Sequence, residues 1–276
     1  MRTQLWKGIQ ANVLAMPLIS ALLLGGPAQA QELSADALSA DAIVERANLA
    51  AFYPGQDGRS QARMKIVDGQ GREQTRQFTI LRRTVEAGGD QQMLVFFARP
   101  SDVRGTVFRV EKKVVGDDDR WLYLPGLDLL RRISAGDKRT SFVGSHFFYE
   151  DVSGRNPADD DYVLQSDEGD LYRLEATPKD PGSVEFARYQ LWIDKTDFLP
   201  RKVEYLDDKG EVYRRVSSAK IETIDGCPTV LRSKVEDLRS GGYTLMEFRG
   251  VQYDIGLPAD LFGERSMRTP PSAYLK

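Results

Sequence analysis

The sequence has 276 residues, 41% hydrophobic and 29% charged, with a formal net charge of -3. Those proportions exclude a disordered chain and a polytopic membrane protein. One histidine (His146) and one cysteine (Cys227) exclude a zinc finger, an iron–sulfur cluster and an internal disulfide framework, and argue against a Ser-His, Cys-His or multi-His active site unless His146 itself carries it.

The first thirty residues read as an export signal. Arg2 and Lys7 form a basic start, Val13 to Leu24 is an apolar run interrupted by Pro17 and Ser20, and Pro27-Ala28-Gln29-Ala30 ends in an Ala-x-Ala pattern. This predicts a secretory signal peptide cut after Ala30. The run is too short, and too broken by proline, for a membrane anchor. No cysteine lies near the cut, so no bacterial lipid anchor is expected there. Loss of Arg2 and Lys7 leaves 36 basic against 41 acidic residues, a mature charge of -5. An acidic surface disfavours nucleic-acid binding. The predicted product, residues 31–276, is a single domain outside the cytoplasm with no transmembrane segment.

Residues 34–52 predict a helix capped by Ser34 or Asp36, with Leu38, Ile43, Ala47 and Ala50 on one stripe and Phe52-Tyr53-Pro54-Gly55 at its end. From Ser60 onward the pattern changes to short extended segments. Turn chemistry separates them at Asp68-Gly69, Gly88-Gly89-Asp90, Glu168-Gly169-Asp170, Asp180-Pro181-Gly182, Asp208-Lys209-Gly210, Asp225-Gly226 and Ser240-Gly241-Gly242. Alternation puts Phe78 with Ile80, Ala187 with Tyr189, Leu191 and Ile193, Val203 with Tyr205, and Met246 with Phe248. Met93-Leu94-Val95-Phe96-Phe97 is apolar on both faces, as in a strand covered on both sides.

The count is roughly eleven strands in antiparallel order, with few helices and no strand–helix–strand alternation, which rules out a Rossmann-type fold. One such sheet must curl or be covered. The space it encloses either holds a hydrophobic ligand or is filled by side chains; the pattern leaves both open.

Residues 121–151 are the most informative. Trp121 to Pro125 reads as a strand broken by proline and resumed from Leu127 to Ile133, with Arg131-Arg132 near its end. Then Ser145 is placed to cap one helical turn presenting Phe147, Phe148 and Tyr149, either a lid over an apolar cavity or part of the core. The acidic triplets Asp117-Asp118-Asp119 and Asp159-Asp160-Asp161 lack calcium-loop spacing and read as solvated loops. Ser145-His146 has no nucleophile-elbow context, and Cys227 reads as a small residue at a turn. No metal site, cofactor site or catalytic residue is expected.

Several of these runs carry a family resemblance. Trp-Leu-Tyr-Leu-Pro at 121–125, Arg-Arg-Ile-Ser at 131–134 and Gly-Ser-x-Phe-x-Tyr-Glu-Asp at 144–151 resemble the bacterial outer membrane lipoprotein-sorting proteins, a family similar to the LolA/LolB periplasmic carriers. Leu191-Trp192-Ile193-Asp194, followed by Leu199-Pro200-Arg201-Lys202, resembles a hairpin common in that superfamily, and Leu257 to Phe262 agrees. The chain departs from the pattern at His146, where other members often carry a small acidic or polar residue, and this argues against catalysis there.

The resemblance, spanning nearly all of residues 35–262, implies a half-open β-barrel covered by helices, with a cavity for acyl chains. It implies a non-enzymatic periplasmic carrier of a lipid, lipoprotein acyl chains or another hydrophobic ligand, working with an RND-type inner-membrane exporter or an outer-membrane acceptor. Expected cavity or lid residues are Phe78, Ile80, Leu94, Phe96, Trp121, Tyr123, Phe147, Tyr149, Tyr189 and Trp192. Arg131 and Arg132 are either head-group contacts or solvated strand charges. The alternatives are an accessory docking subunit with a filled core and, weakest, a hydrolase using His146.

Overall fold

A computed structural model describes residues 38–86, 88–167 and 169–275. The expected signal peptide and the first residues of the expected helix (34–37) lie outside the described residues. Helix α1 (Ala40–Phe52) starts later than expected and is capped by Ser39, whose Oγ accepts from the Ala42 N–H at 3.1 Å; the expected caps Ser34 and Asp36 lie outside the described residues. A capping oxygen must sit within a turn of the first free N–H groups, as Ser39 does.

Thirteen strands follow among the described residues: β1 (Asp57–Val67), β2 (Glu73–Thr84), β3 (Gln91–Arg99), β4 (Val107–Lys112), β5 (Asp119–Leu124), β6 (Leu129–Ile133), β7 (Asp160–Ser166), β8 (Leu171–Pro178), β9 (Arg188–Asp194), β10 (Pro200–Leu206), β11 (Val212–Ile224), β12 (Cys227–Asp237) and β13 (Tyr243–Tyr253). Two short helices, α2 (Tyr149–Ser153) and α3 (Glu264–Arg268), complete the set. The count exceeds the expected eleven. One extra strand arises where Pro125-Gly126-Leu127 forms a tight helical turn and Asp128 takes a left-handed φ of 44°. The chain reverses there, and the strand expected to resume instead pairs antiparallel with β5 as β6. Each of the other turn signals joins two adjacent strands.

All strands lie in one antiparallel sheet, ordered β6-β5-β4-β3-β2-β1-β13-β12-β11-β10-β9-β8-β7. The chain starts in the middle at β1, meanders outward to β6, crosses through residues 134–159 to the far edge, and meanders back to close β13 onto β1. The edge strands β6 and β7 do not pair, so the sheet is open. It is also curled, since residues of β2 and β9, seven strands apart inclusive, line one cavity.

Strand alternation sends side chains to two faces. On the concave face, Phe78, Met93, Val95, Phe97 and Phe108 form one core with Phe142 and Tyr149 from the crossing segment. Farther round, Leu174, Ala176, Tyr189, Leu191 and Tyr205 pack with Ile43, Val44 and Ala47 of α1. A third core lies on the convex face of β2–β5, where Leu81, Leu94, Phe96, Val107 and Tyr123 are covered by Leu257, Leu261, Phe262 and Met267 of the C-terminal segment. Asp57 ties that segment down by accepting from the N–H groups of Ile255 (2.8 Å) and Leu257 (2.7 Å). The double apolar pattern of residues 93–97 follows: odd positions face the concave core, even positions the convex one.

Candidate functional site

The concave face holds a cavity of about 450 Å³, within the range of roughly 300–1,000 Å³ typical of small-molecule sites. Its floor is strand side chains of one parity. Strand β2 contributes Phe78, Ile80 and Arg82, and β10 contributes Val203 and Tyr205. Strand β13 contributes Met246 and Phe248, then Val251 and Tyr253. The change of parity follows a register shift against β1 between Arg59 and Gln61, opposite Gly250, whose φ is 54°. A bulge consumes one residue and turns the following side chains to the other face, which here keeps apolar groups directed inward. Helix α1 roofs one side with Val44, Ala47 and Phe52.

The crossing segment supplies the remaining wall. At Phe142-Val143-Gly144-Ser145 the chain turns back on itself: the Phe142 N–H donates to Phe147 O at 2.7 Å, and Val143 and Gly144 have φ of 49° and 78°. This turn drives Phe142, 1% exposed, into the rings of Phe108 (5.4 Å), Phe97 (5.7 Å) and Phe78 (6.3 Å). Ser145 accepts from the Phe147 N–H at 3.1 Å within the turn and does not cap the helix. The cap of α2 is made by Asp151, which accepts from the Phe148 N–H at 2.6 Å. At the other end of α2, Gly154 has φ of 82°, and a Cβ there would meet the Phe52 ring at 2.8 Å. Only glycine lets the end of α2 approach the end of α1 so closely.

Toward the other half of the sheet the segment is held by charge. Arg139 makes a paired contact with Glu185 (2.7 Å for each bond) and also bonds Glu150. Arg155 makes a paired contact with Asp160 (2.7 and 2.8 Å) and reaches Glu150 at 3.2 Å. The Tyr189 hydroxyl donates to Asp160 at 2.7 Å. Arg214 pairs with Asp151 and lies 4.4 Å from the Phe148 ring centroid. Burial pushes the Glu150 carboxyl up, but Arg139, Arg155 and Lys138 outweigh it and hold the group below the usual carboxylate range. Burial and the charge of Asp160 push the Tyr189 hydroxyl well above its ordinary value, so it stays a donor.

The acidic triplets are therefore not simply solvated loops. Asp160 is 2% exposed beneath Arg155 and Tyr189, and Asp118 bonds Arg120, Ser153 and the Lys113 N–H. Arginines supplied by the crossing segment and by β5 make that burial tolerable. Among the described residues no group of three His, Cys, Asp or Glu side chains is placed to hold a metal ion. His146 Nδ1 contacts Thr244 Oγ1 at 2.9 Å, not Ser145, and burial lowers its pKa below the ordinary value. Cys227 is a half-buried free thiol at the start of β12.

Of the residues expected at the site, Phe78, Ile80, Phe147 and Tyr189 line the cavity. Tyr149 stands behind that wall, 5.1 Å from Phe108. Leu94, Phe96, Trp121 and Tyr123 face the convex core. Trp192 is also on the convex face, with Lys202 Nζ 3.6 Å above its ring. Arg131 and Arg132 are exposed on edge strand β6; Arg132 pairs with Asp119 beside a separate depression of about 350 Å³. Arg82, Phe142, Val203, Tyr205, Met246, Phe248 and Tyr253 line the cavity without having been expected there. Extending the Phe78–Ile80 alternation by two residues reaches Arg82.

Three solved structures share this architecture. A DUF1329 family protein from Desulfovibrio piger is 32% identical, with a TM-score of 0.74 over 82% of this chain and 95% of that one. This chain belongs to the DUF1329 family. A domain from Vibrio parahaemolyticus named for outer membrane lipoprotein sorting is 26% identical, with a TM-score of 0.74 over 83% of this chain and 97% of that one. A LolA superfamily protein from Nitrosomonas europaea, 22% identical, shares the fold with a TM-score of 0.65 over 83% of this chain and 99% of that one. A family model whose description reads "Uncharacterized protein" matches residues 89–269. No curated protein matches. The motif resemblance at 121–151 and 191–202 is thus a family relationship, and this DUF1329 chain has the LolA-like fold in its open, thirteen-stranded form.

Proposed function

We propose that this DUF1329 protein is a periplasmic carrier that takes the apolar part of a lipid, or another hydrophobic ligand, into the concave cavity and carries it in envelope transport without catalysing a reaction. The observation that carries this reading is the 450 Å³ of space among Phe78, Met93, Phe142, Val216, Met246 and Phe248. A docking subunit with a filled core requires no such space. Apolar surroundings favour a chain over water by about 0.8 kcal/mol per methylene, or about fourfold in affinity. The name of the Vibrio relative points to lipoprotein sorting; in this proposal the carrier exchanges cargo with an RND-type inner-membrane transporter or an outer-membrane acceptor. Residues 31–276 act as one carrier domain after export. Among the described residues no helix is long and apolar enough to cross a membrane.

The test is a chain-length series. Saturated fatty acids of increasing length displace a neutral fluorescent probe, and the lipid extract of the purified protein is weighed by mass spectrometry. Affinity is expected to rise about fourfold per methylene and then level off as the cavity fills. An empty extract together with no saturable binding at any length overturns the reading. N-terminal sequencing of the exported protein should begin at Gln31, and in-cell crosslinking that recovers neither kind of membrane partner removes the handover step.

A further inference from the structure

The cavity wall carries charge as well as apolar surface, and the charges are not equally matched. Glu150 and Asp151 are met by arginines, and Arg155 is met by Asp160 and Glu150. Arg82 is different. Its guanidinium donates to the backbone carbonyls of Pro54 and Gly55 and to Thr84 Oγ1, all neutral oxygens. Among the described residues no acid forms an ion pair with it. The acids whose field reaches it are engaged elsewhere: Asp57 accepts from the N–H groups of Ile255 and Leu257, and Asp254 accepts from that of Gln56. Arg59 also borders the cavity, but its register partner Leu81 belongs to the convex core, so its side chain is on the other face.

The position of Arg82 gives the cavity a polar end. Phe78, Ile80 and Arg82 succeed one another along one face of β2, so the Cα of Arg82 stands about 13 Å along the strand from that of Phe78. Gly58 of β1 lies between Arg82 and Tyr253 in register. A Cβ at Gly58 would come within 2.8 Å of Gln252 O and 3.1 Å of the Tyr253 ring, so the missing side chain lets that ring lie over β1 beside the arginine. Tyr253 and Thr229, joined at 2.8 Å, complete this end. The opposite end is Phe78, Met93, Phe142, Phe147 and Met246.

The volume admits an acyl chain extending from the polar end. A methylene occupies about the space of a water molecule, roughly 30 Å³, so 450 Å³ has room for at least on the order of fifteen methylenes, the length of one long acyl chain.

Resting on the carrier reading above, we infer that the cavity takes an acyl amphiphile with an anionic head, the head bound to Arg82 and a chain lying among Phe78, Phe142 and Met246. A half-buried guanidinium with no ion-pair partner pays for its partial desolvation, and a carboxylate or phosphate oxygen adds a charge-assisted hydrogen bond.

The test is displacement of the neutral dye 1-N-phenylnaphthylamine from the full exported protein. The competitors are palmitate, hexadecyl phosphate and hexadecanol. Palmitate or hexadecyl phosphate should bind at least about tenfold more tightly than hexadecanol, and whichever anion binds better identifies the head group as carboxylate or phosphate. Arg82→Gln should bring the anions to within about threefold of hexadecanol, and its urea unfolding curve shows that the variant is folded. Arg82→Lys should retain most of the preference, and Arg132→Gln all of it. Equal binding of hexadecanol and both anions to the unaltered protein, a measurement that needs no variant, overturns the inference and leaves the carrier reading standing. Failure of every chain to displace the dye overturns the carrier reading itself.

Discussion

Residues 134–159 cross the concave face and meet the two halves of the sheet with different chemistry. Against β2–β4 the contact is made of rings: Phe142 and Tyr149 packed on Phe78, Phe97 and Phe108. Against β7–β11 it is made of charge: Arg139, Glu150, Asp151 and Arg155 locked to Glu185, Asp160 and Arg214. Ring packing depends on close fit and is indifferent to pH. Buried ion pairs depend on every partner keeping its charge. One wall of the cavity therefore has two fastenings that respond to different conditions.

The largest expected effect is on the ring side. Phe142→Ala removes a fully buried ring and should lower unfolding free energy by about 3–5 kcal/mol, read from urea denaturation, with the pH dependence of stability unchanged. A loss under about 1 kcal/mol would mean the ring anchor is dispensable. On the charged side, Glu150→Gln leaves Arg139 and Arg155 under-compensated in a site where the native carboxylate is 3% exposed. About 3 kcal/mol should be lost. Here the pH dependence should change too.

Acid should separate the fastenings without mutation. The Glu150 carboxyl lies below its ordinary value of 4.5 in the folded protein, so the folded state binds fewer protons than the unfolded chain. Its contribution is complete above the unfolded value and fades as the pH falls through the folded one. Thermal melts between pH 7 and 3 should show the unaltered protein and Phe142→Ala losing stability more steeply than Glu150→Gln. Parallel curves for all three would remove Glu150 from the charged anchor. Tyr189→Phe, which takes one donor from buried Asp160 but leaves Arg155 in place, should cost about 1.5 kcal/mol. The smallest effect belongs to the convex face of β9. Trp192→Ala there loses a stacked lysine on a half-exposed ring, and about 0.5–1 kcal/mol is expected, against about 3 kcal/mol for Leu94→Ala on the covered convex face of β3.

That last contrast also explains what could be read in the sequence. Turns and strands are local events, so Asp-Gly and Gly-Gly pairs located the hairpins correctly. Face alternation is local too, but which face encloses the cavity is set by the curl of the whole sheet. In β7–β11 one face is wet and the alternation singled out Tyr189. In β2–β5 both faces are buried, so Leu94, Phe96, Trp121 and Tyr123 are as apolar as the residues opposite them, and nothing in their pattern separates convex from concave. Asp160 could not be recognised as buried from its acidic neighbours, since Tyr189, which covers it, is 29 residues away. At 121–133 a proline break and a proline-led reversal have the same local sequence, and only the pairing of β6 with β5 distinguishes them. Arg131-Arg132 and Arg82-Arg83 are both adjacent arginine pairs, and nothing local marks Arg82 as the one that faces the cavity.

The unpaired edges of β6 and β7 have a mechanical consequence. A closed barrel has its girth set by strand number and stagger, and widening it means breaking backbone ladders. This sheet has a seam, spanned by the crossing segment and by helix α1, which packs on β8–β10 while Phe52 O accepts from Gln91 of β3. The two edges can spread or draw together while every interstrand hydrogen bond stays intact, so the compliance of the cavity resides in a few ring and ion contacts and not in its frame. The girth of the container then follows its contents, and the stiffness of that response is tuned by Phe142 on one side of the seam and Glu150 on the other.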